Sequence, residues 1–291
     1  MFDIWNENEP LVRQQYEKDN FLIRDYDKDD AKPYCVIYFS SNGLYYPNTE
    51  ESFCNFVKSD RYEWKTHHFH NVRREIYVRD IVKQWYITGI NSRLSSIDKM
   101  VEWLSDNIPA GCDVITVGNS AGGYIAVLAA CLLNARYAYD FSGQFSIEDA
   151  LEDKDASHNA LFKRQVERYR KNGEKLYLNI AEYIKTAPDL DIFYFYPALC
   201  DEDKRQSALV SDMENVHAFA FRDDKHGQTM YNFNLEDVFE MEPERLVALS
   251  SKFGGKVISR MEFSVCVKGI TGTVREIIRK IYKKRFANGD R

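Results

Sequence analysis

No apolar run in this sequence approaches the roughly 18 residues that a membrane span requires. The opening residues, Met1-Phe2-Asp3-Ile4-Trp5-Asn6-Glu7, carry neither a basic start nor a leader-like apolar stretch. A protein that stays in the cytoplasm is therefore the expectation. Basic charge is also in short supply: 39 Lys and Arg stand against 45 Asp and Glu, giving a net charge of −6. Such a chain has no general means of displacing counterions from a phosphate backbone, so nucleic acid is not an expected partner. Only 14 glycines and 7 prolines occur in 291 residues, which leaves no low-complexity tract and confines disorder to the ends. The six cysteines (Cys35, Cys54, Cys112, Cys131, Cys200, Cys266) form no CxxC pair. They are expected to be free thiols, mostly buried as small hydrophobes, rather than a disulfide framework.

What the chain does contain is a succession of short apolar runs separated by turn residues and helical patterns. Tyr34–Phe39 reads as a buried strand that ends in the turn-forming cluster Ser40-Ser41-Asn42-Gly43. A further strand is predicted at Trp85–Gly89, and a helix over Ser95–Leu104, where Ile97, Met100, Val101 and Leu104 share one face. The β-branched run Asp113–Gly118 suits a central parallel strand, and an Ala- and Leu-rich helix from Tyr124 to Leu133 follows it. Strands are also predicted at Tyr137–Asp140, Asp191–Tyr196 and Val216–Phe221. This alternation implies an α/β fold, a mostly parallel sheet flanked by helices, in one domain over residues 1–269. Residues 142–188 read as a polar helical insertion over the C-terminal edge of the sheet.

Between the strand at 113–118 and its helix lies Gly118-Asn119-Ser120-Ala121-Gly122. A GxSxG match arises by chance about 0.1 times in a chain this long, so its setting matters more than the pattern. A tight strand-to-helix turn exposes a serine hydroxyl, and small residues at 118 and 122 let the backbone pass close to its neighbours. A serine so placed still needs a base and donors for a developing oxyanion. His226 lies in the loop after the last strand, whereas the other five histidines precede that strand or lie within it. His67, His68 and His70 have no carboxylate or thiol at ligand spacing beside them, and no metal is expected.

In these residues, and in the order of elements over roughly 34–250, the chain resembles the α/β-hydrolase superfamily. The resemblance implies the order Ser120, an acid after a later strand, then His226. Asp201 is ranked first for the acid, with Glu202 and Asp203 as rivals. It also implies two backbone oxyanion donors: Ala121, and one of Ser41 or Asn42. The family's HGGG-type sequence is absent there. Acyl transfer through an acyl-Ser120 intermediate follows, with hydrolysis of a polar or glycan-linked ester as the first choice. The glycan comes from a general similarity to serine hydrolases encoded beside bacterial surface-polysaccharide genes. The alternatives are an O-acyltransferase moving an acetyl group to a polysaccharide hydroxyl, and a non-catalytic binding relative. No cofactor is expected, apart from acetyl-CoA as donor in the transferase case. The oligomeric state is not legible.

Residues 270–291 stand apart. Val274, Ile277, Ile278, Ile281 and Tyr282 recur at helical spacing among Arg275, Arg279, Lys280, Lys283, Lys284 and Arg285. Such a helix is expected to dock its apolar face on its own domain, with peripheral contact to an anionic membrane surface as the alternative.

Overall fold

The structure is a computed structural model that describes residues 2–27, 33–152, 157–227 and 229–287. Residues 153–156 of the expected insertion and 288–291 of the expected C-terminal helix lie outside the described residues.

Among the described residues seven strands form one sheet: β1 Phe21–Asp25, β2 Tyr34–Phe39, β3 Val72–Val78, β4 Asp113–Asn119, β5 Tyr137–Phe141, β6 Asp191–Pro197 and β7 Val216–Phe221. Their order across the sheet is β1-β3-β2-β4-β5-β6-β7. Only the edge strand β1 runs antiparallel, on β3, and the remaining pairs are parallel. The helices are α1 Pro10–Tyr16, α2 Glu50–Lys58, α3 Ile97–Asp106, α4 Ala121–Leu133, α5 Asp149–Glu152, α6 Ser157–Lys171, α7 Ala181–Lys185, α8 Asp201–Ala208, α9 Phe233–Glu240, α10 Pro243–Phe253 and α11 Arg260–Ala287. This is the expected α/β architecture, a mostly parallel sheet with helices on both faces.

Parallel strands covered on both sides are largely apolar, and in β4 Val114 to Gly118 are buried without a break, the one polar side chain, Thr116, donating to the Ala126 carbonyl at 2.8 Å. Against one face packs α4, buried from Ala121 to Ala130, together with α3 through Ile97, Met100 and Leu104. The other face is strongly aromatic, with Tyr38, Tyr77, Tyr139, Phe193, Phe195 and Phe219 contributed by the strands themselves. Because β2, β4, β5, β6 and β7 all run the same way, their C-terminal ends open onto one edge, where ligands bind in folds of this type.

Four expectations need correction. The strand expected at Trp85–Gly89 is a tight loop: the buried Asp80 carboxylate accepts the N–H groups of Val82, Lys83, Gln84 and Tyr86 at 2.7–3.0 Å, and Lys83, Trp85 and Tyr86 have positive φ. The strand at this point is β3, whose Arg73, Arg74 and Glu75 disguise it as a polar segment. Glu75 is buried there because the hydroxyls of Tyr26 and Tyr77 donate to it at 2.6 and 2.8 Å. The insertion is helical, but it is less polar than expected: Phe145, Ile147, Phe162, Val166, Tyr177 and Ile184 join the core on the α4 face. Among the cysteines, all free, only Cys35 is fully buried; Cys54 is exposed and the other four are half-buried.

The C-terminal helix departs most. Gly269 (φ 74, ψ 168) breaks α11, so the chain beyond it is re-aimed. Thr273 is buried and hydrogen-bonded to Ser264 at 3.0 Å. Most of the apolar row does not dock on the domain: Ile277 is half-buried, but Val274, Ile278, Ile281 and Tyr282 are exposed, as is Ile270 ahead of them.

Candidate active site

Ser120 joins β4 to α4 at φ 54, ψ −123, a backbone conformation that side-chain-bearing residues rarely hold. Its N–H donates to the Phe141 carbonyl at 2.9 Å, and its own carbonyl accepts from Tyr124 N–H at 3.0 Å. The turn is tight enough to dictate its neighbours. A Cβ on Gly118 would lie 1.9 Å from the Gly122 carbonyl oxygen, and one on Gly122 would lie 2.5 Å from the Phe39 carbonyl oxygen. Ser120 stands at the N-cap of α4 without its hydroxyl capping the helix. The hydroxyl is turned instead toward His226, whose Nε2 lies 2.9 Å from Ser120 Oγ.

His226 sits in the loop after β7, next to Gly227 with its φ of 76. Its Nδ1 lies 2.9 Å from Asp203 Oδ2. A carboxylate only accepts, so Nδ1–H donates to Asp203 and Nε2 is left to accept the Ser120 O–H. Burial lowers the affinity of His226 for its proton. The hydrogen bond and charge of Asp203, with Glu202 and Asp140 adding to it, outweigh burial and leave the ring more basic than the ordinary 6.5.

The structure therefore brings Ser120 and His226 together, but it does not bring Asp201 to them. The reason is helical geometry. Asp201, Glu202 and Asp203 form the first turn of α8, and at about 100° per residue the first and third point to opposite sides. Asp201 is exposed, Glu202 lies 3.3 Å from Gln144 Nε2, and Asp203 turns under the sheet edge with 1% of its side chain exposed.

The two oxyanion positions differ. Ala121 is the first residue of α4, and Ala121 N–H is one of the N–H groups left unpaired at the start of a helix, where the dipole favours negative charge. Ser41 N–H, at the end of β2, is already engaged: it donates to Glu63 Oε2 at 2.5 Å. Asn42 lies within the short 3-10 turn Asn42–Tyr45 that Ser41 caps, its side chain directed 3.5 Å from the Lys83 carbonyl. Sequence reasoning missed Glu63, which lies in a turn-rich segment between α2 and β3 and belongs to no motif. Burial pushes its carboxyl upward against hydrogen bonds from Ser41 and Asn119. Asp140 was likewise passed over as a strand residue. It is fully buried at the end of β5, accepts Gly143 N–H at 2.7 Å, and is pushed by burial up to about 8.

Beside Ser120 runs an open groove of about 900 Å³, with Tyr46, Tyr62, Glu63, Asn119, Gly227 and Thr229 on its walls. His68 and His70 turn to different carboxylates, Glu75 at 2.8 Å and Glu240 at 3.7 Å. Among the described residues no group of three His, Cys, Asp or Glu side chains could hold a metal ion.

No family model matches the chain, and no curated protein sequence matches it. Solved structures do. Esterase B from Lactobacillus rhamnosis is 14% identical with a TM-score of 0.42, over 85% of this chain and 93% of that one. Est1E from Butyrivibrio proteoclasticus with bound ferulic acid is 13% identical with a TM-score of 0.46, over 81% and 96%. The capsule O-acetyltransferase of Neisseria meningitidis serogroup A is 11% identical with a TM-score of 0.46, over 81% and 92%.

Proposed function

We propose that the chain is a serine acyl hydrolase in which Ser120, His226 and Asp203 act as one unit on a polar ester. The observation that carries this reading is the continuous relay from Ser120 Oγ through His226 to Asp203, with both contacts at 2.9 Å, on a strained strand-to-helix turn. In the first half-reaction the Ser120 oxygen attacks the acyl carbonyl while Nε2 of His226 takes the hydroxyl proton. Asp203 holds the ring in the required tautomer and stabilises the imidazolium. The carbonyl oxygen, now negative, is held by Ala121 N–H at the start of α4 and by Ser41 N–H. The tetrahedral intermediate collapses, His226 returns its proton to the leaving alcohol, and an acyl-Ser120 ester remains. Water then repeats the sequence and releases the acid.

The groove supports a large polar substrate, because an acetyl group alone would leave most of about 900 Å³ unfilled. A glycan-linked ester suits it. The same space favours a second reading, transfer of an acetyl group from acetyl-CoA to a glycan hydroxyl, because an acceptor would need that room beside the acyl-enzyme. The first test is labelling with a fluorophosphonate probe, which should modify the native chain at Ser120 and leave Ser120→Ala unlabelled. Equal labelling of both would refute the assignment. Measuring free acid and acylated glycan separately, with and without acceptor, divides the two readings: free acid as the main product supports hydrolysis.

A further inference from the structure

Beyond Gly269 the C-terminal helix runs inside out. A surface helix ordinarily turns its apolar stripe to the core and its charges to water. Here Thr273 faces inward, while Ile270, Val274, Ile278, Ile281 and Tyr282 are 47–70% exposed. At about 100° per residue these five side chains share one arc of the helix. The exposed cations Arg275, Arg279 and Lys280 lie outside that arc, and Glu276 is the only acidic residue between 263 and 287, in a chain whose net charge is −6. No described helix is long and apolar enough to cross a membrane. We propose that this face lies flat on an anionic phospholipid surface, with the apolar row below the headgroups and the cations at the phosphates. Charge complementarity selects that occupant. Two such faces in a dimer would bring cations together, and five side chains fall short of the roughly 800 Å² per partner that a stable interface buries.

Flotation of the full chain with vesicles tests this. The native protein should float with phosphatidylglycerol vesicles and not with phosphatidylcholine vesicles, and salt should weaken the binding. Val274→Asp with Ile278→Asp should cut binding about tenfold or more, as should Arg275→Glu with Arg279→Glu. Melting should be unchanged in both variants, since these side chains are exposed. Equal binding to both vesicle types, or none to either, overturns the proposal. A dimer in sedimentation that the aspartate variant dissolves would also overturn it, by assigning the face to a second copy.

At the oxyanion position the groove is occupied by the protein itself. Glu63 Oε2 sits 2.5 Å from the Ser41 nitrogen, the donor that the acyl-transfer reading assigns to the oxygen of a bound acyl group. The backbone around Glu63 is pinned, with Glu63 N–H on Ser40 Oγ at 3.3 Å and Trp64 Nε1–H on the Phe39 carbonyl at 3.2 Å. The side chain is therefore the part that can move, toward Arg61 and Lys65 on the groove wall. We infer that Glu63 gates the site: its carboxylate must leave Ser41 N–H before an oxyanion can form there, since two negative charges cannot share one donor. This inference rests on the acyl-transfer reading above.

The test is the rate of fluorophosphonate modification at Ser120, located by mass spectrometry, in the native chain, Glu63→Gln and Glu63→Ala. Glu63→Gln is close in shape and guards against misfolding in the alanine variant, with thermal melting as the check. Both variants should react at least about tenfold faster than the native chain, because the repelling charge is gone. Modification of native Ser120 that is unchanged or slower in the variants overturns the gate alone. Absence of Ser120 modification in all three proteins overturns the acyl-transfer reading and the gate with it.

Discussion

Two histidine–carboxylate pairs stand at opposite ends of the same sheet. His217 and Asp191, near the starts of β7 and β6, are 2.7 Å apart; His226 and Asp203, beyond the ends of those strands, are 2.9 Å apart. The contacts are alike, but the surroundings differ. Asp191 keeps 30% of its side chain exposed, so water shares in solvating it, whereas Asp203 keeps 1%. A carboxylate that deeply buried depends on the imidazole and the neighbouring Cys200 thiol to satisfy it, and the imidazole in turn presents its other nitrogen to a serine on a strained turn. The dyad alone confers nothing; the strand end that supplies Ser120 makes the difference.

The widest gap between the two ends should appear in turnover of an acyl ester such as p-nitrophenyl acetate. Ser120→Ala and His226→Ala should each lower kcat by about 10³-fold or more, and the double variant should cost little beyond either one. Near-native turnover in Ser120→Ala would erase the contrast.

Within the acidic turn of α8, Asp203→Asn should lower kcat by about 10³ to 10⁴-fold through the wrong tautomer. Asp201→Asn, on the exposed side, should stay within about twofold. Equal losses in the two would overturn the assignment of Asp203 as the acid.

The pH profile sharpens the same point. His226 must be neutral to accept the serine proton, and its folded-state affinity for protons is raised by Asp203. The acid limb of kcat/KM should therefore lie above 6.5, with activity gained as pH rises through it. In Asp203→Asn the limb should move down, because burial then acts without its main opponent, Glu202 and Asp140 remaining. A limb that stays in place would assign it to another group.

The smallest effect is expected at the other end. Asp191→Asn should leave turnover within about twofold and lower stability by at most about 1 kcal/mol in denaturant melts. A large loss of activity would mean that the two dyads communicate.

Much of this site was legible in the chain because its constraints are local. Gly118, Ser120 and Gly122 are fixed by one turn, and His226 was singled out by its place after the last strand. The acid was not legible, because three consecutive carboxylates differ only in which side of a helix they face, and that depends on the sheet edge underneath. Glu63 and Asp140 were invisible for a related reason: their burial comes from segments distant in sequence. The fold shows the same division. Strands β2, β4, β6 and β7 announce themselves as apolar runs. Strand β3 hides behind Arg73, Arg74 and Glu75, since the hydroxyls that make Glu75 tolerable in the interior come from Tyr26 on one side and Tyr77 on its own strand.

The backbone at Ser120 has a consequence for how long the residue endures. At φ 54, ψ −123 a side-chain-bearing residue costs roughly 1–3 kcal/mol that glycine would not. Glycine is thus a replacement that the fold would welcome and that, on the proposed function, only the chemistry would reject. Gly118 and Gly122 have no such freedom, since a methyl group at either meets a carbonyl oxygen at 1.9 or 2.5 Å. A lineage released from the need for turnover should therefore keep both flanking glycines and acquire a third at position 120.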